Sequence, residues 1–439
     1  MYEIDRKLYE RALNGNPVLV GLVGAGQMGK EIVCQIAQMQ GMEIMIVVDL
    51  NTETCLNAYK AAGYDGEIVV SNDLREVNAA LAAGKRVAAT DFEVAIKADL
   101  IDSVIDATGN PFVGAQVALT CFNYKKHIVM MNVECDITVG PILRQMAENA
   151  GVVYSLTAGD EPGSIIEVYR FAKALGFRIV AAGKGKNNPL NIYAKPDDPE
   201  WKKKAEDRNM QVRMLIEFVD GSKTMVEMCA VSNATGLVPD IRGMHGPKCN
   251  IEDLKTVFSL KKQGGILERE GVVDFGIGNI NPGVFVIVTT DNETLKEGLI
   301  QRDMGLGPNY LLLRPYHLCS CETPITVAQG VLYGESTGHP NKYLTSECLT
   351  IAKKDLKKGE VLDGIGEYCY RGSIDLYEVA REGNMLPLGL AKGCRMTQDV
   401  PIDTVLTYDM VEVPDSVLYN LRKIQDSMYK KEMVNVSAK

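Results

Sequence analysis

A chain of 439 residues is long enough for two or three domains and a sizeable core. Its 46% hydrophobic and 24% charged residues are ordinary for a soluble globular protein. A formal net charge of -10 argues against a general nucleic-acid binder, because phosphate backbones reward clustered Lys and Arg, yet it leaves room for a local basic pocket and a small anionic substrate.

The N-terminal stretch "MYEIDRKLYERALNGN" is charged and helix-like and has no apolar signal-peptide core. No window approaches the roughly 18 uninterrupted apolar residues of a membrane helix. Eleven cysteines, an odd number scattered over the chain, suit reduced thiols better than a disulfide framework. The expectation is a soluble, cytoplasmic protein with no membrane and no nucleic-acid partner.

From Pro17 to about Ser155, short apolar runs alternate with helix-length segments: "VLVGLVGAG", "EIMIVVDL", "SVIDATG", "HIVMMN" and "VVYSLTAG". Alternation of this kind predicts parallel β/α units and an α/β, doubly wound sheet over residues 1–158. The first run ends in Gly24-Ala-Gly26-Gln27-Met28-Gly29 and opens an amphipathic helix. The glycines allow a tight turn, close backbone approach to a pyrophosphate and close helix–sheet packing, while the helix N-terminus offers free N–H groups. The second run ends at Asp49, 20 residues after Gly29, where a carboxylate binds ribose hydroxyls. Strand, helix and acid in register predict a dinucleotide-binding Rossmann domain for NAD or NADP. The acid favours NAD(H), although Asn51 and Thr52 can rearrange the pocket. Thr108, Gly109 and Asn132 end later strands and are expected on the nicotinamide side of the crevice.

Between residues 159 and 340 the texture changes. "MQVRMLIEFVDGSKTMVEMCAVSNATG" and "GVFVIVTTDNETLKEGL" read as antiparallel strands, "DGS" being the clearest hairpin turn. Gly/Pro-rich loops carry polar residues, which predicts an α+β catalytic domain with its chemistry on loops. In "AAGKGKNNP", Lys184 and Lys186 follow a short buried strand and, on an extended segment, face the same way. They can converge on one anion, or divide between an anionic tail and a developing oxyanion, with Asn187 and Asn188 supplying neutral donors and acceptors. The alternative is a pair of solvated loop lysines. Asp160, in "GDEPG", can position the nicotinamide or move a proton, or simply form an Asx-turn beside a helix-start acid. Arg242 and His245, in "DIRGMHGP", suit anion binding and general acid–base work, with a structural histidine as the plainer choice. "RPYHLCSCE" offers Tyr316, Ser320 and Glu322 to substrate. His317, Cys319 and Cys321 share one face if that stretch is a strand, but lack the fourth ligand and CxxC spacing of a structural zinc site. A divalent Mg or Mn ion bound with substrate through oxygen ligands such as Glu322 or Asp160 is chemically reasonable, with ligands that the sequence does not assign.

The final stretch, residues 341–439, carries Ala352, the run Asp355-Leu-Lys-Lys-Gly-Glu360, Pro387-Leu-Gly389-Leu390, Asp399-Val-Pro401 and Leu406-Thr407. These residues resemble the SAF module, a small β-rich fold shared by type III antifreeze proteins, the tail of sialic acid synthases and some sugar-acid dehydratases; a C-terminal helix follows. Gly24 to Gly29, "VIDATGNP", "HIVMMNVECD" and "SLTAGDEPGS" resemble the homoserine dehydrogenase-like oxidoreductases. A dehydrogenase body joined to a SAF module resembles the DXR-like reductoisomerase family. That resemblance implies rearrangement of a 1-deoxy-D-xylulose 5-phosphate type of sugar through an enediolate, followed by hydride transfer, in a homo-oligomer. Related members act as oxidoisomerases on sugar acids. Plain oxidation of homoserine or a hydroxy acid is a secondary reading, since neither that enzyme's catalytic stretch nor its regulatory tail is evident. A nucleotide-sensing binding protein is the non-enzymatic alternative.

Overall fold

The apolar runs of the first 160 residues become parallel strands. The structure, a computed structural model, describes residues 3–208 and 210–437, with side chains to residue 429. Seven strands, β1 (Val18–Val23), β2 (Met42–Val48), β3 (Ile68–Val70), β4 (Arg86–Ala89), β5 (Ser103–Asp106), β6 (His127–Met130) and β7 (Tyr154–Leu156), form one sheet. Its order is β3-β4-β2-β1-β5-β6-β7 and every pairing is parallel. Helices cover both faces of such a sheet, which is why its central strands read as continuous rather than alternating apolar runs. Helix Gln27–Ile36 turns Ile32, Val33 and Ile36 into the core; each fully buried aliphatic chain stabilises by roughly 1.5–3 kcal/mol. The chain leaves β1 toward β2 and later returns to its other side as β5. The topological switch therefore lies at the carboxyl ends of β1 and β5. The α/β, Rossmann-like class expected from the sequence is the class observed.

Helix Val133–Ala150 contains Pro141, which cannot donate to the preceding turn. Gln425, on the C-terminal helix Val417–Ser437, accepts the Ile142 N–H next to this proline through Oε1 at 3.1 Å and donates through Nε2 to the Thr138 carbonyl at 3.2 Å.

A second sheet is mixed. It comprises β8 (Arg178–Lys186), β9 (Val238–Pro239), β10 (Val272–Ile277), β11 (Val284–Thr289) and β12 (Asn309–Arg314), in the order β12-β11-β8-β10-β9. Several sequence expectations are corrected here. The stretch read as a hairpin around "DGS" is two helices, Val212–Val219 and Ser222–Thr235, with Gly221 at φ +87° in the turn between them. Leu215, Ile216 and Val219 are the buried face of the first, a helical rather than alternating spacing. The second is buried almost all round, so periodicity could not reveal it. In "GVFVIVTTDNETLKEGL" the first half is β11, but the second is helix Glu293–Ile300, started by Asn292 accepting the Leu295 N–H. Cys319 and Cys321 begin helix Cys319–Tyr333 rather than a strand.

In the last hundred residues, antiparallel β13 (Ser346–Ala352) and β14 (Tyr370–Leu376) pair over their whole length, and two short strands, β15 (Arg395–Met396) and β16 (Val411–Glu412), form a second ladder.

By packing, the chain forms two compact units that are discontinuous in sequence. One holds the chain to Gly163, Leu318–Lys342 and the part from Leu421; the other holds Ser164–His317 with Tyr343–Asn420. Helix Cys319–Tyr333 packs on helix Gln27–Ile36 and on β6, which draws 318–342 into the first unit. The outer ends of the first and last expected domains, residues 1–2 and 438–439, lie outside the described residues. No helix among the described residues is long and apolar enough to cross a membrane.

Candidate functional site

The glycine-rich turn sits at the switch point, and its three glycines differ in what holds them. Gly24 has φ +96°, and a Cβ there would lie 2.7 Å from the Ala107 carbonyl oxygen at the end of β5. A Cβ on Gly29 would collide with the Gly24 carbonyl. Gly26 has an ordinary φ of -61° and nothing within 4 Å of an added Cβ. Two glycines thus build the turn and the third keeps space open in front of it. No side chain among the described residues caps helix Gln27–Ile36, so the first-turn N–H groups, including those of Gln27 and Met28, stay available to an anion. Asp49 accepts the Ala25 N–H at 2.8 Å through Oδ2, tying β2 to the turn. Its other oxygen, Oδ1, makes a long contact of 3.5 Å to the Asn51 N–H. This donor set and open space fit a dinucleotide pyrophosphate and ribose.

On the far side of the crevice a polar network centres on Asp106, a residue not singled out from sequence. Its Oδ1 accepts the Thr108 hydroxyl at 2.7 Å and the Thr108 N–H at 3.0 Å; its Oδ2 accepts Asn132 Nδ2 at 3.2 Å. Burial pushes the Asp106 carboxyl up to about 6 against those hydrogen bonds. Asn132 is itself buried, and its Oδ1 accepts the Cys135 N–H as the cap of helix Val133–Ala150. Asn132 therefore organises the loop from within. Gly109, at φ +60°, is exposed.

Also in the first unit, Gly159 closes on helix Cys319–Tyr333. Its carbonyl accepts the Cys319 N–H at 2.7 Å, and a Cβ on Gly159 would strike the Glu322 side chain. Glu322 accepts the Leu318 N–H at 3.0 Å, Ser320 donates to Glu31 at 2.5 Å, and Cys319 Sγ lies 3.7 Å from Asp160 Oδ1. Asp160, Ser320 and Glu322 are thus brought to one corner, each engaged by the protein itself.

In the second unit, β8 runs on through Lys186, so the lysines expected on a loop lie inside a strand. Each is 4% exposed, which removes the solvated-lysine alternative. Lys184 pairs with Glu227 at 2.5 Å, and Glu227 is buried on helix Ser222–Thr235. Lys186 donates to the Phe218 carbonyl and pairs with no carboxylate among the described residues. An ammonium group has three donors, so Lys186 keeps capacity for a ligand. Burial, followed by the charge of Lys184, lowers the Lys186 pKa to about 8, with Glu227 and Asp220 opposing. Of the two asparagines that follow, Asn188 is buried and accepts from Arg208 Nη1 at 3.3 Å, whereas Asn187 is exposed.

His245 and Arg242 are held apart from the lysine pair by their own partners. Asp274, whose carboxylate accepts the His245 and Gly246 N–H groups, pairs in register with Gly183 and so takes the sheet face opposite Lys184. His245 Nε2 lies 3.0 Å from Asp240 Oδ2. Although burial works against it, the Glu268 N–H and His245 hold the Asp240 carboxyl below the usual range. Arg242 is spent on Asp375 of β14 at 2.6 Å. Tyr316 is 48% exposed and lies under the Arg314 guanidinium. His317, Cys319 and Cys321 form no metal-ligand cluster among the described residues.

Residues 159–323 match the family model described as "Oxidoreductase DRL, catalytic domain", a stretch that contains every substrate and catalytic candidate above. No curated protein matches the chain. Solved structures similar to it include a probable dehydrogenase from Thermotoga maritima, at 11% identity, with 73% of this chain and 90% of that one covered and a TM-score of 0.37. A myo-inositol dehydrogenase from Corynebacterium glutamicum aligns at 9% identity over 72% and 89% of the two chains, TM-score 0.38. A scyllo-inositol dehydrogenase from Lactobacillus casei, solved with NAD(H) and scyllo-inositol, aligns at 13% identity over 74% and 92%, TM-score 0.37. Similarity at that level carries no inference about substrate.

Proposed function

We propose that the protein is an NAD(P)-dependent oxidoreductase acting on a small anionic, sugar-like substrate by rearrangement and hydride transfer, in the manner of a reductoisomerase. The observation that carries the cofactor half is the glycine turn: Gly24 and Gly29 are compelled by backbone contacts, while Gly26 guards empty space in front of an uncapped helix. The oxidoreductase family match over 159–323 supports the same class. The dinucleotide supplies or accepts the hydride when bound. Gln27 and Met28 would hold its pyrophosphate by backbone N–H groups, and Asp49 its ribose.

The substrate half rests on the contrast between the two lysines. Lys184, fixed by a buried carboxylate, presents a positive charge toward a developing oxyanion without reorganising. Lys186, with spare donors and a pKa lowered by burial to about 8, can hold an anionic group or pass a proton near neutral pH. The rearranging carbon skeleton would pass through an enediolate that both groups stabilise. The motif resemblance to the DXR-like reductoisomerases points to 1-deoxy-D-xylulose 5-phosphate, with Mg or Mn assisting, in a homo-oligomer.

The test is oxidation of NADPH and NADH by the purified protein with that sugar phosphate, with and without Mg²⁺ or Mn²⁺, and product identification by mass and NMR. A rearranged, reduced product that is lost in Lys184→Ala and Lys186→Ala is the expected result. Cofactor binding without turnover would shift the substrate to sugar acids, homoserine or a hydroxy acid, each tried in turn. Binding with no turnover on any of them would leave a nucleotide-sensing protein.

A further inference from the structure

Lys353, directly after β13, is fully buried, an unusual place for a lysine unless it is paired. Its ammonium donates to Asp220 Oδ2 at 2.7 Å and to the Ala194 carbonyl at 2.9 Å. Asp220 ends helix Val212–Val219: its N–H donates to the Ile216 carbonyl, and its Oδ1 accepts the Ser222 N–H at 2.9 Å. It thereby fixes the turn whose Gly221 has φ +87° and would meet Leu190 if it carried a Cβ. Two residues before Asp220, the Phe218 carbonyl receives the Lys186 ammonium. A continuous line of contacts runs from Lys353 through Asp220 and the turn to Lys186, all within one compact unit.

We infer that Lys353, from the β-rich C-terminal stretch, is a positioning residue for Lys186, acting through Asp220 and the Phe218 carbonyl. The functional importance of Lys186 rests on the oxidoreductase reading above; the linkage itself does not. The charged groups facing Lys186 are Lys184 on its own strand, Glu227 on helix Ser222–Thr235, Asp220 on the turn and Lys204 on helix Pro199–Asp207. Burial and the two lysines disfavour its protonated form, while Glu227 and Asp220 support it. Lys353 keeps Asp220 ionised and in place, because a buried carboxylate stripped of its partner takes up a proton or forces the site to rearrange.

The experiment uses the full-length protein labelled with [13Cε]lysine, with the Lys186 resonance identified by its absence from Lys186→Arg. The wild-type resonance should titrate near pH 8, and an ordinary lysine midpoint of about 10.5 would overturn the inference. In Asp220→Asn/Lys353→Met both partners become neutral while Asn keeps an acceptor for Ser222. The Lys186 midpoint should fall by half a pH unit or more, and Lys353→Arg should preserve it. Lys353→Met alone, which leaves Asp220 buried without its partner, should move it in the same direction and decides the matter if the double variant does not fold. An unchanged midpoint in a variant with a cooperative thermal melt would sink the positioning role. Turnover assays on the same samples separate the two readings. A shifted midpoint in a protein with no turnover sinks only the proposed reaction; normal wild-type turnover with an unshifted midpoint sinks only the role of Lys353.

Discussion

The three glycines of the first turn should respond differently to the same added methyl group. Gly24→Ala must place a side chain at φ +96°, at a strain of roughly 1–2 kcal/mol, with its Cβ 2.7 Å from the Ala107 oxygen and 3.0 Å from the Thr108 nitrogen. Gly29→Ala drives a Cβ into the Gly24 carbonyl and against Leu22, and neither can move without opening the helix from the sheet. Both substitutions should lower stability. Gly26→Ala meets nothing within 4 Å and keeps an ordinary φ of -61°. Alanine is a poorer N-cap than glycine, but it also restricts the unfolded chain by about 0.4–1 kcal/mol, so the two effects largely offset.

Gly26→Ala should therefore melt within about 2–4 °C of the wild type. Its Cβ occupies the space through which a pyrophosphate would approach the backbone, so dinucleotide affinity should fall at least tenfold, about 1.4 kcal/mol. Thermal melts paired with fluorescence titration of NADH and NADPH read both quantities on one sample. A Gly26→Ala protein that binds either cofactor as tightly as the wild type would refute the assignment of this turn. A protein that loses binding only because it has unfolded would refute the division of labour among the glycines.

Glu227→Ala leaves the Lys184 ammonium buried without its carboxylate, and urea denaturation should show a loss of about 3–5 kcal/mol; a loss below 1 kcal/mol would mean that the pair is solvated. Gln425→Leu strips the acceptor from the Ile142 N–H beside Pro141, at about 1–3 kcal/mol, and hydrogen exchange at Ile142 should accelerate while distant amides do not. Asp136, pushed by burial up to about 7 despite the Tyr154 hydroxyl on it, gives a pH signature. The folded protein holds this proton more tightly than the unfolded chain, so the stabilisation is complete below the unfolded value near 3.8 and is lost as pH rises toward about 7. Melting temperatures across that window should fall less steeply in Asp136→Asn than in the wild type, and parallel curves would count against a proton on Asp136.

The nucleotide crevice was legible because its signals are local. Gly24 to Gly29 and Asp49 declare their roles by spacing, and each sits where the strand–turn–helix pattern puts it. Thr108 and Asn132 were found by the same logic, but Asp106 was hidden inside the apolar run "SVID", where nothing marks a carboxylate as the centre of a network. The second unit was harder. "MCAVSNA" carries a helix buried almost all round, which has no amphipathic period to detect, and its Glu227 partner for Lys184 lies 43 positions away in sequence. Asp220 and Lys353 are farther apart still, 133 positions, and no local rule connects them. Alternation did reveal that Lys184 and Lys186 share a face, but not that the strand runs on through Lys186 with both lysines buried.

That burial makes two lysines, alike in sequence, unlike in chemistry, and it fixes how ligand binding should depend on pH. Lys186 pairs with no carboxylate among the described residues, and its pKa of about 8 leaves roughly nine in ten of these side chains neutral at pH 9. An anion that docks on it needs the ammonium form, so binding above pH 8 must draw a proton from solution. Affinity for a sugar-acid carboxylate, whose own charge is constant over this range, should be flat below pH 8. Above it, affinity should decline toward tenfold per pH unit until the bound-state pKa is passed, with matching proton uptake by calorimetry in buffers of different ionisation enthalpy. Lys186→Arg stays charged and should abolish the decline. A wild-type affinity that is level to pH 10, or a decline that survives in Lys186→Arg, would move the anion to another group and leave the buried amine as a proton carrier alone.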